Sequence, residues 1–311
     1  MAKIVILGAG FGGLRVALDL AKAGHEIEGH EVVLVDRLFH HVYTPLLYEV
    51  ATGYFDDEKS EKKLELWERL LCKGVCIRIE QLPAIVSGRH IRFESGDVER
   101  IDRISRKVIF AGGRTLPYDY LVVALGAETD YFGIPGIREH AVPFKTARDA
   151  LTLRRRIMKF AEAHRAGKEK MVCVAIAGGG PTGVELAAEV TNMFRKVLPH
   201  QALPEHGCAV TVIEASDRIL GAFTPAVSAA AVKRLTKLGV SVMTGVAVSG
   251  VKDSTVTLTH KASGETQMIE ADVLVWTGGV RGNHVIAESG FSVDKKGRAP
   301  VDEFLRAKDE G

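Results

Sequence analysis

Cysteine is scarce in this chain, with four in 311 residues: Cys72, Cys76, Cys173 and Cys208. So few at this length exclude a disulfide framework, which small secreted domains use in place of a large core. Cys72 and Cys76 stand close enough to suggest a redox pair. Gly74 lies between them, however, and no His/Cys cluster with metal-ligand spacing is near. Cys173 reads as an inert core thiol within a strand. His40 and His41 are adjacent but lack further ligands, so no metal site is expected. Charge of one sign is also missing: Lys and Arg number 41 against 39 Asp and Glu. No basic run is interleaved with aromatics, so nothing marks a nucleic-acid binder. The densest basic run, Arg154-Arg155-Arg156, falls in a helical pattern and reads as a solvated face. No apolar run approaches the roughly 20 residues that span a bilayer. The first apolar run starts at residue 3, which leaves no room for a secretory leader, so a cytoplasmic protein is expected.

The chain is rich in glycine, with 32 residues, and in ordinary globular composition, 46% hydrophobic and 26% charged. That composition and length suffice for two domains with cores of their own. The glycines repeat one pattern. Gly8-Ala9-Gly10-Phe11-Gly12-Gly13 follows Lys3-Ile4-Val5-Ile6-Leu7, and Gly178-Gly179-Gly180-Pro181-Thr182-Gly183 follows Met171-Val172-Cys173-Val174-Ala175-Ile176-Ala177. In such a loop the first glycine makes a tight strand-to-helix turn. The second lets backbone approach a pyrophosphate, and the third lets the helix pack on the strand. A carboxylate about 20 residues on should end the next strand and hold a ribose diol. Asp36 closes Glu31-Val32-Val33-Leu34-Val35. Glu214 closes Ala209-Val210-Thr211-Val212-Ile213, after a longer helix and loop. One such loop is weak evidence; strand, loop, helix, strand and acid in order, twice, predict two dinucleotides on one chain, a layout that suits electron transfer between them.

The predicted organisation is α/β, with two Rossmann-like dinucleotide-binding domains and an inserted β-meander. A βαβ unit covers 3–36, and an amphipathic helix is expected over 56–73, with Leu64, Trp67 and Leu71 on one face. Alternating runs from 75 to 120 (75–79, 90–93 and 107–110) fit an antiparallel meander. Residues 120–126 read as a fully buried strand ending in Gly126. A helix is expected over 146–166, a second βαβ unit over 171–214, a helix over 226–238, strands over 240–260 and a buried strand at 272–276 before Gly278-Gly279.

Several stretches together resemble one family. They are Phe39-His40-His41-Val42-Tyr43-Thr44-Pro45-Leu46-Leu47-Tyr48-Glu49-Val50-Ala51-Thr52-Gly53, then Tyr118-Asp119-Tyr120-Leu121-Val122-Val123-Ala124-Leu125-Gly126-Ala127-Glu128-Thr129, Gly178 through Glu189, and Trp276-Thr277-Gly278-Gly279-Val280. These resemble the two-dinucleotide flavoprotein reductases related to glutathione reductase, and among them the type II (single-subunit, non-proton-pumping) NADH dehydrogenases. The Pro-Leu-Leu-Tyr segment separates them from disulfide reductases, which carry a Cys pair near residues 40–47. The resemblance implies FAD on a domain of residues 1–147 and 283–311, and NADH on a domain of 148–282. Gly8, Gly10 and Gly13 would hold the FAD pyrophosphate, with Asp36 and the following Arg37 at its adenosine end and Gly126 closing the backbone nearby. Gly178, Gly180 and Gly183 would cradle the NADH pyrophosphate. Glu214 would favour NADH over NADPH, which Arg218 could soften. Gly278 and Gly279 would line the nicotinamide side. Glu185, placed by the sequence reading in the first helical turn, would sit where nicotinamide meets flavin; alternatively it complements the helix dipole. Pro45, with Leu46 and Leu47, would lie beside the face that reduces a quinone; alternatively the three are plain core.

The resemblance further implies peripheral contact with the cytoplasmic face of a membrane and admits a homodimer. Family members continue past the equivalent of Val301-Asp302-Glu303-Phe304-Leu305-Arg306 into a Gly-Asp pair that binds the flavin cofactor, then into membrane-docking helices. The expectation is therefore a complete NADH domain and an FAD domain short of its last strand and anchor. Three functions fit: an NADH:quinone oxidoreductase, a related flavoprotein with another acceptor such as sulfide:quinone chemistry, and a non-catalytic NADH-binding fragment or sensor.

Overall fold

A computed structural model describes residues 1–24, 28–53, 74–82, 85, 91–165, 172–197 and 210–308. The helix expected over 56–73, and with it Cys72, lies outside the described residues, as does Cys208. The chain forms two compact units. The first comprises Met1–Tyr43, Leu64–Glu128 and Val280–Gly311; the second comprises Thr44–Lys63 and Thr129–Gly279.

In the first unit, β1 (Lys3–Leu7), α1 (Phe11–Ala23) and β2 (Glu31–Asp36) form the expected βαβ. Short β3 (His40–Val42) pairs antiparallel with β4 (Cys76–Arg78), and β5 (Ile91–Ser95) follows. Then come β6 (Val98–Asp102), β7 (Lys107–Phe110), β8 (Thr115–Pro117), β9 (Tyr120–Val123) and β10 (Ala127–Thr129). The main sheet has order β5-β2-β1-β9 and is parallel throughout. Successive residues of a strand point to opposite faces, and a parallel sheet buries both. Ile6, Val32 and Leu34 therefore pack with Leu14 and Ala17 of α1. Val5, Leu7, Val33 and Val35 pack on the other side with Ile101, Val108, Phe110 and Leu116 of the meander.

Two sequence expectations are corrected here. The meander is β6-β7-β8 alone. Ile91 and Phe93 belong instead to β5, a parallel edge strand beside β2, in register Val32 with Ile91 and Leu34 with Phe93. An alternating run reads the same in either setting, because the partner strand is a long-range choice. Residues 120–126, expected to be fully buried, leave Tyr120 65% and Val123 38% exposed, since β9 is the sheet's edge.

The second unit holds α2 (Leu47–Thr52), α3 (Ile137–His140), β11 (Val142–Pro143), α4 (Ala147–Arg165), β12 (Val174–Ala177), α5 (Pro181–Val197), β13 (Val210–Glu214), α6 (Pro225–Lys237) and β14 (Ser241–Thr244). It continues with β15 (Val246–Lys252), β16 (Thr255–His260), β17 (Thr266–Glu270) and β18 (Val273–Trp276); β17 had no place in the sequence reading. Its parallel sheet has order β11-β18-β12-β13-β14, and β15-β16-β17 form a separate antiparallel sheet. Val248, Val256 and Leu258 of that second sheet pack with Ala175, Ile213, Leu274 and Trp276 of the first. The short α2 packs against α4 and α5, its Leu47, Val50 and Ala51 buried. After this unit β19 (Val280–Gly282) and α7 (His284–Glu288) return to the first.

Candidate functional site: two dinucleotide cradles

Each cradle is built from the end of its central strand. In the first, the Gly8 N–H donates to the Val35 carbonyl at 2.7 Å, which closes the turn onto β2. Gly8 has φ +98°, and a Cβ there would stand 2.3 Å from the Ala124 carbonyl oxygen. A Cβ on Gly13 would stand 1.8 Å from the Gly8 carbonyl oxygen, so helix α1 can seat only on glycine. Gly10 is different: a Cβ there would meet nothing within 4 Å. Its bare face is open space of the kind a diphosphate needs beside the amides of a helix N-terminus.

The second cradle repeats this arrangement. Gly178 N–H donates to the Ile213 carbonyl at 2.8 Å. Gly178 has φ +122°, and its Cβ would stand 2.6 Å from Thr277 Oγ1. A Cβ on Gly183 would stand 1.9 Å from the Gly178 carbonyl oxygen, while Gly180 faces open space. One difference follows from sequence: α5 begins at Pro181, which has no N–H, where α1 begins at Phe11. The second helix N-terminus therefore offers one donor fewer.

The two acids end their strands as expected. Asp36 Oδ2 accepts the Ala9 N–H at 2.6 Å and Oδ1 accepts the Leu38 N–H at 2.8 Å. Glu214 Oε2 accepts the Gly179 N–H at 2.7 Å and Oε1 the Ser216 N–H at 2.7 Å. Both carboxylates thus brace the second residue of their own loop. Each ionised oxygen keeps a further acceptor position.

Residues 2–311 match the profile of the pyridine nucleotide-disulphide oxidoreductases. The chain belongs to that family. A curated relative, the type II NADH:quinone oxidoreductase NdhA of Mycobacterium tuberculosis, is 31% identical over 98% of this chain and 63% of its own length. This chain thus spans less than two thirds of that relative. Among solved structures, NDH2 of Plasmodium falciparum in complex with NADH superposes with TM-score 0.80 at 22% identity, covering 96% of this chain and 59% of that one. The sulfide:quinone oxidoreductase of Aquifex aeolicus gives 0.71 at 19%, covering 93% and 61%.

The fold of this pyridine nucleotide-disulphide oxidoreductase places the remaining candidates as follows. Gly126 is left-handed (φ +75°), and a Cβ there would meet nothing within 4 Å. The close approach to Gly8 falls on Ala124 and Leu125. Ala124 and Thr277, both missed by the sequence reading, are equivalent: each donates its N–H to the last residue of the central strand, Leu7 or Ala177, at 2.8 Å. Aligning the ends of the two strands that precede them would have found the pair. Arg37 is exposed beside Asp36. The Arg218 guanidinium is held by the carbonyls of Phe223 and Gly221, at 2.7 and 2.8 Å. Gly278 and Gly279 are glycine for packing reasons, since a Cβ would stand 2.8 Å from the Trp276 ring and 2.5 Å from the Phe132 ring.

Glu185 is exposed in the second turn of α5, and no acid stands in the first turn. This corrects the sequence placement and weakens the dipole alternative, because a dipole acts over the terminal turn. The Pro45 segment divides: Pro45 is exposed in a 3₁₀ turn, Leu46 is half-buried and Leu47 is core. The Tyr48 phenol is pushed up by burial first, then by Glu49, Glu185 and Glu189. Cys173 precedes β12 and is half-buried, so it is not a strand thiol. Cys76 is buried. No His/Cys/Asp/Glu group able to hold a metal occurs among the described residues.

Proposed function

We propose that this chain carries the catalytic body of a type II NADH:quinone oxidoreductase, with FAD on the first cradle and NADH on the second. Residues 1–147 and 283–311 form the FAD-binding part in this reading, and 148–282 the NADH-binding part. The duplicated cradle, with its two bracing acids, is the observation that carries it. The name of the Mycobacterium tuberculosis relative supports the choice of substrates.

The residues present fit both groups. The open faces of Gly10 and Gly180 receive the diphosphates, and the helix N-termini behind them supply amide donors and the positive end of the dipole. Asp36 and Glu214 accept the ribose hydroxyls with the lone pairs left after bracing their loops. Arg37 flanks the adenosine end. Glu214 also disfavours a 2′-phosphate by charge; the Arg218 guanidinium donates to two neutral carbonyls and keeps the positive charge that would soften this preference. FAD, when bound, supplies a ring that takes a hydride from NADH and passes two electrons onward. The protein's own task is then to position, to exclude water and to manage protons. Gly126 turns backbone around the flavin end, and Gly278 and Gly279 line the nicotinamide side. Glu185 would sit near where nicotinamide meets flavin, and Pro45 presents an exposed apolar edge to the quinone. A peripheral position on the cytoplasmic face of a membrane suits a lipid-soluble acceptor.

An absorption spectrum tests this. The expected result is a yellow protein whose flavin bands bleach with NADH, far less with NADPH, and return on adding a short-chain quinone. A colourless preparation that binds NADH, or flavin reduced by sulfide but not by NADH, overturns the proposal.

A further inference from the structure

Ala9 is the second residue of the first glycine loop, and its backbone is gripped on both sides. Its N–H is held by Asp36, and its carbonyl oxygen lies 2.9 Å from Nδ1 of the buried His41. A carbonyl only accepts, so Nδ1 carries the proton and donates it. The imidazole is itself held in place. His41 is the middle residue of β3, paired with Ile77 of β4, and the Phe11 ring packs edge-on against it with centroids 5.0 Å apart.

The peptide group joining Ala9 to Gly10 is trans and planar, so its C=O and N–H point in opposite directions. Fastening the Ala9 oxygen to His41 therefore aims the Gly10 N–H away from His41. No described residue accepts that N–H. Half a turn of the same plane would present the carbonyl oxygen in its place, and an anion would meet a lone pair instead of a proton.

The second cradle holds the equivalent plane by other means. The carbonyl of Gly179, the counterpart of Ala9, accepts the Leu220 N–H at 2.7 Å. Leu220 is left-handed, with φ +52°, a conformation unfavourable for leucine. A side chain from β3 in one unit and a strained backbone turn after β13 in the other thus meet the same demand. A core histidine that merely satisfied a stray acceptor would have no such counterpart.

From this we infer that His41 is a positioning residue for the FAD diphosphate. It locks the Ala9–Gly10 peptide so that the Gly10 amide donates to phosphate. The inference rests on the reading that the first cradle takes FAD. Because the second cradle is locked by backbone, the effect of His41 is confined to the first.

The test titrates FAD, and separately NADH, into the 311-residue chain and follows the fluorescence of each. Three variants are compared. His41→Leu has no donor, and His41→Asn carries its amide nitrogen at the same reach from Cβ as Nδ1. His41→Gln carries that nitrogen one bond too far, at the reach of Nε2. Circular dichroism checks that each folds. FAD affinity is expected to fall roughly fivefold in His41→Leu and His41→Gln, the loss of one hydrogen bond, and to stay within about twofold of wild type in His41→Asn. NADH affinity is expected to be unchanged in all three. Phosphorus NMR of the FAD-loaded proteins should show the diphosphate resonances displaced in the Leu and Gln variants and restored in the Asn variant, a recovery that loosened packing does not give.

Wild-type FAD affinity in His41→Leu, no recovery in a folded His41→Asn, or a parallel loss of NADH affinity overturns the inference. Should His41→Leu not fold, the contrast between Asn and Gln decides alone. A wild-type chain that takes up NADH but not FAD sinks the FAD reading, and this inference with it. FAD uptake that is equal in wild type and every variant sinks only the role of His41.

Discussion

Glu214 reaches back across the second cradle and accepts the backbone N–H of Gly179 at 2.7 Å. Asp36 does the same to Ala9 at 2.6 Å. The acid that ends each second strand therefore also fixes the shape of the loop that ends the first. A ribose ligand and a structural brace are two uses of one carboxylate, and substitution removes both.

Glu214→Ala leaves the Gly179 N–H without its partner, at a cost of about 1–3 kcal/mol where water cannot replace it. NADH affinity is expected to fall at least tenfold, and the preference over NADPH to shrink toward unity. Fluorescence titration with both nucleotides checks this. Unchanged discrimination would remove Glu214 from the specificity assignment.

The third glycines separate the two sites. An alanine at Gly13 or Gly183 places a methyl within 2 Å of a backbone oxygen, and neither helix can seat without shifting. Gly13→Ala is expected to yield protein depleted of flavin. Gly183→Ala is expected to stay yellow while flavin bleaching needs far more NADH. Loss of flavin in both, or in neither, contradicts the assignment of ligands to loops.

Burial pushes the Cys76 thiol up to about 11 from its usual 9.0, against a weaker opposing pull from Arg78. The folded state therefore holds the proton more tightly than the unfolded chain. That contribution to stability is complete below pH 9 and is lost as pH climbs toward 11. Site-resolved alkylation near pH 8 should leave Cys76 unmodified until denaturant is added. Rapid native labelling would show that the thiol is not shielded.

Arg154, read from sequence as part of a solvated basic run, donates from α4 to the carbonyl of Gly53, which caps α2. Arg154→Met keeps the stem and removes the donor. A loss of about 1–2 kcal/mol, read as a lowered thermal midpoint, is expected. The neighbouring Arg155→Met should be nearly silent, because Arg155 is exposed.

The glycine loops could be read in the sequence because their demand is local. Gly8 and Gly178 need left-handed backbone, and a run of buried-type residues in front of each identifies the strand. Asp36 and Glu214 could be found because each ends a strand that the hydrophobic pattern delimits. Local pattern alone misassigned Ile91 and Phe93, since alternation does not name a partner strand. It also overstated the burial of Tyr120 and Val123, for the same reason: burial depends on what covers the strand, and β9 is an edge.

By itself, then, the amino-acid sequence determined that two strand–glycine loop–helix units form and that each ends in an acid, since turn sterics and hydrophobic periodicity act within a few residues. Tertiary structure alone decided which groups crowd each glycine and that both acids staple their own loops. It also decided which of three consecutive arginines is held against another helix, because those contacts join residues tens of positions apart.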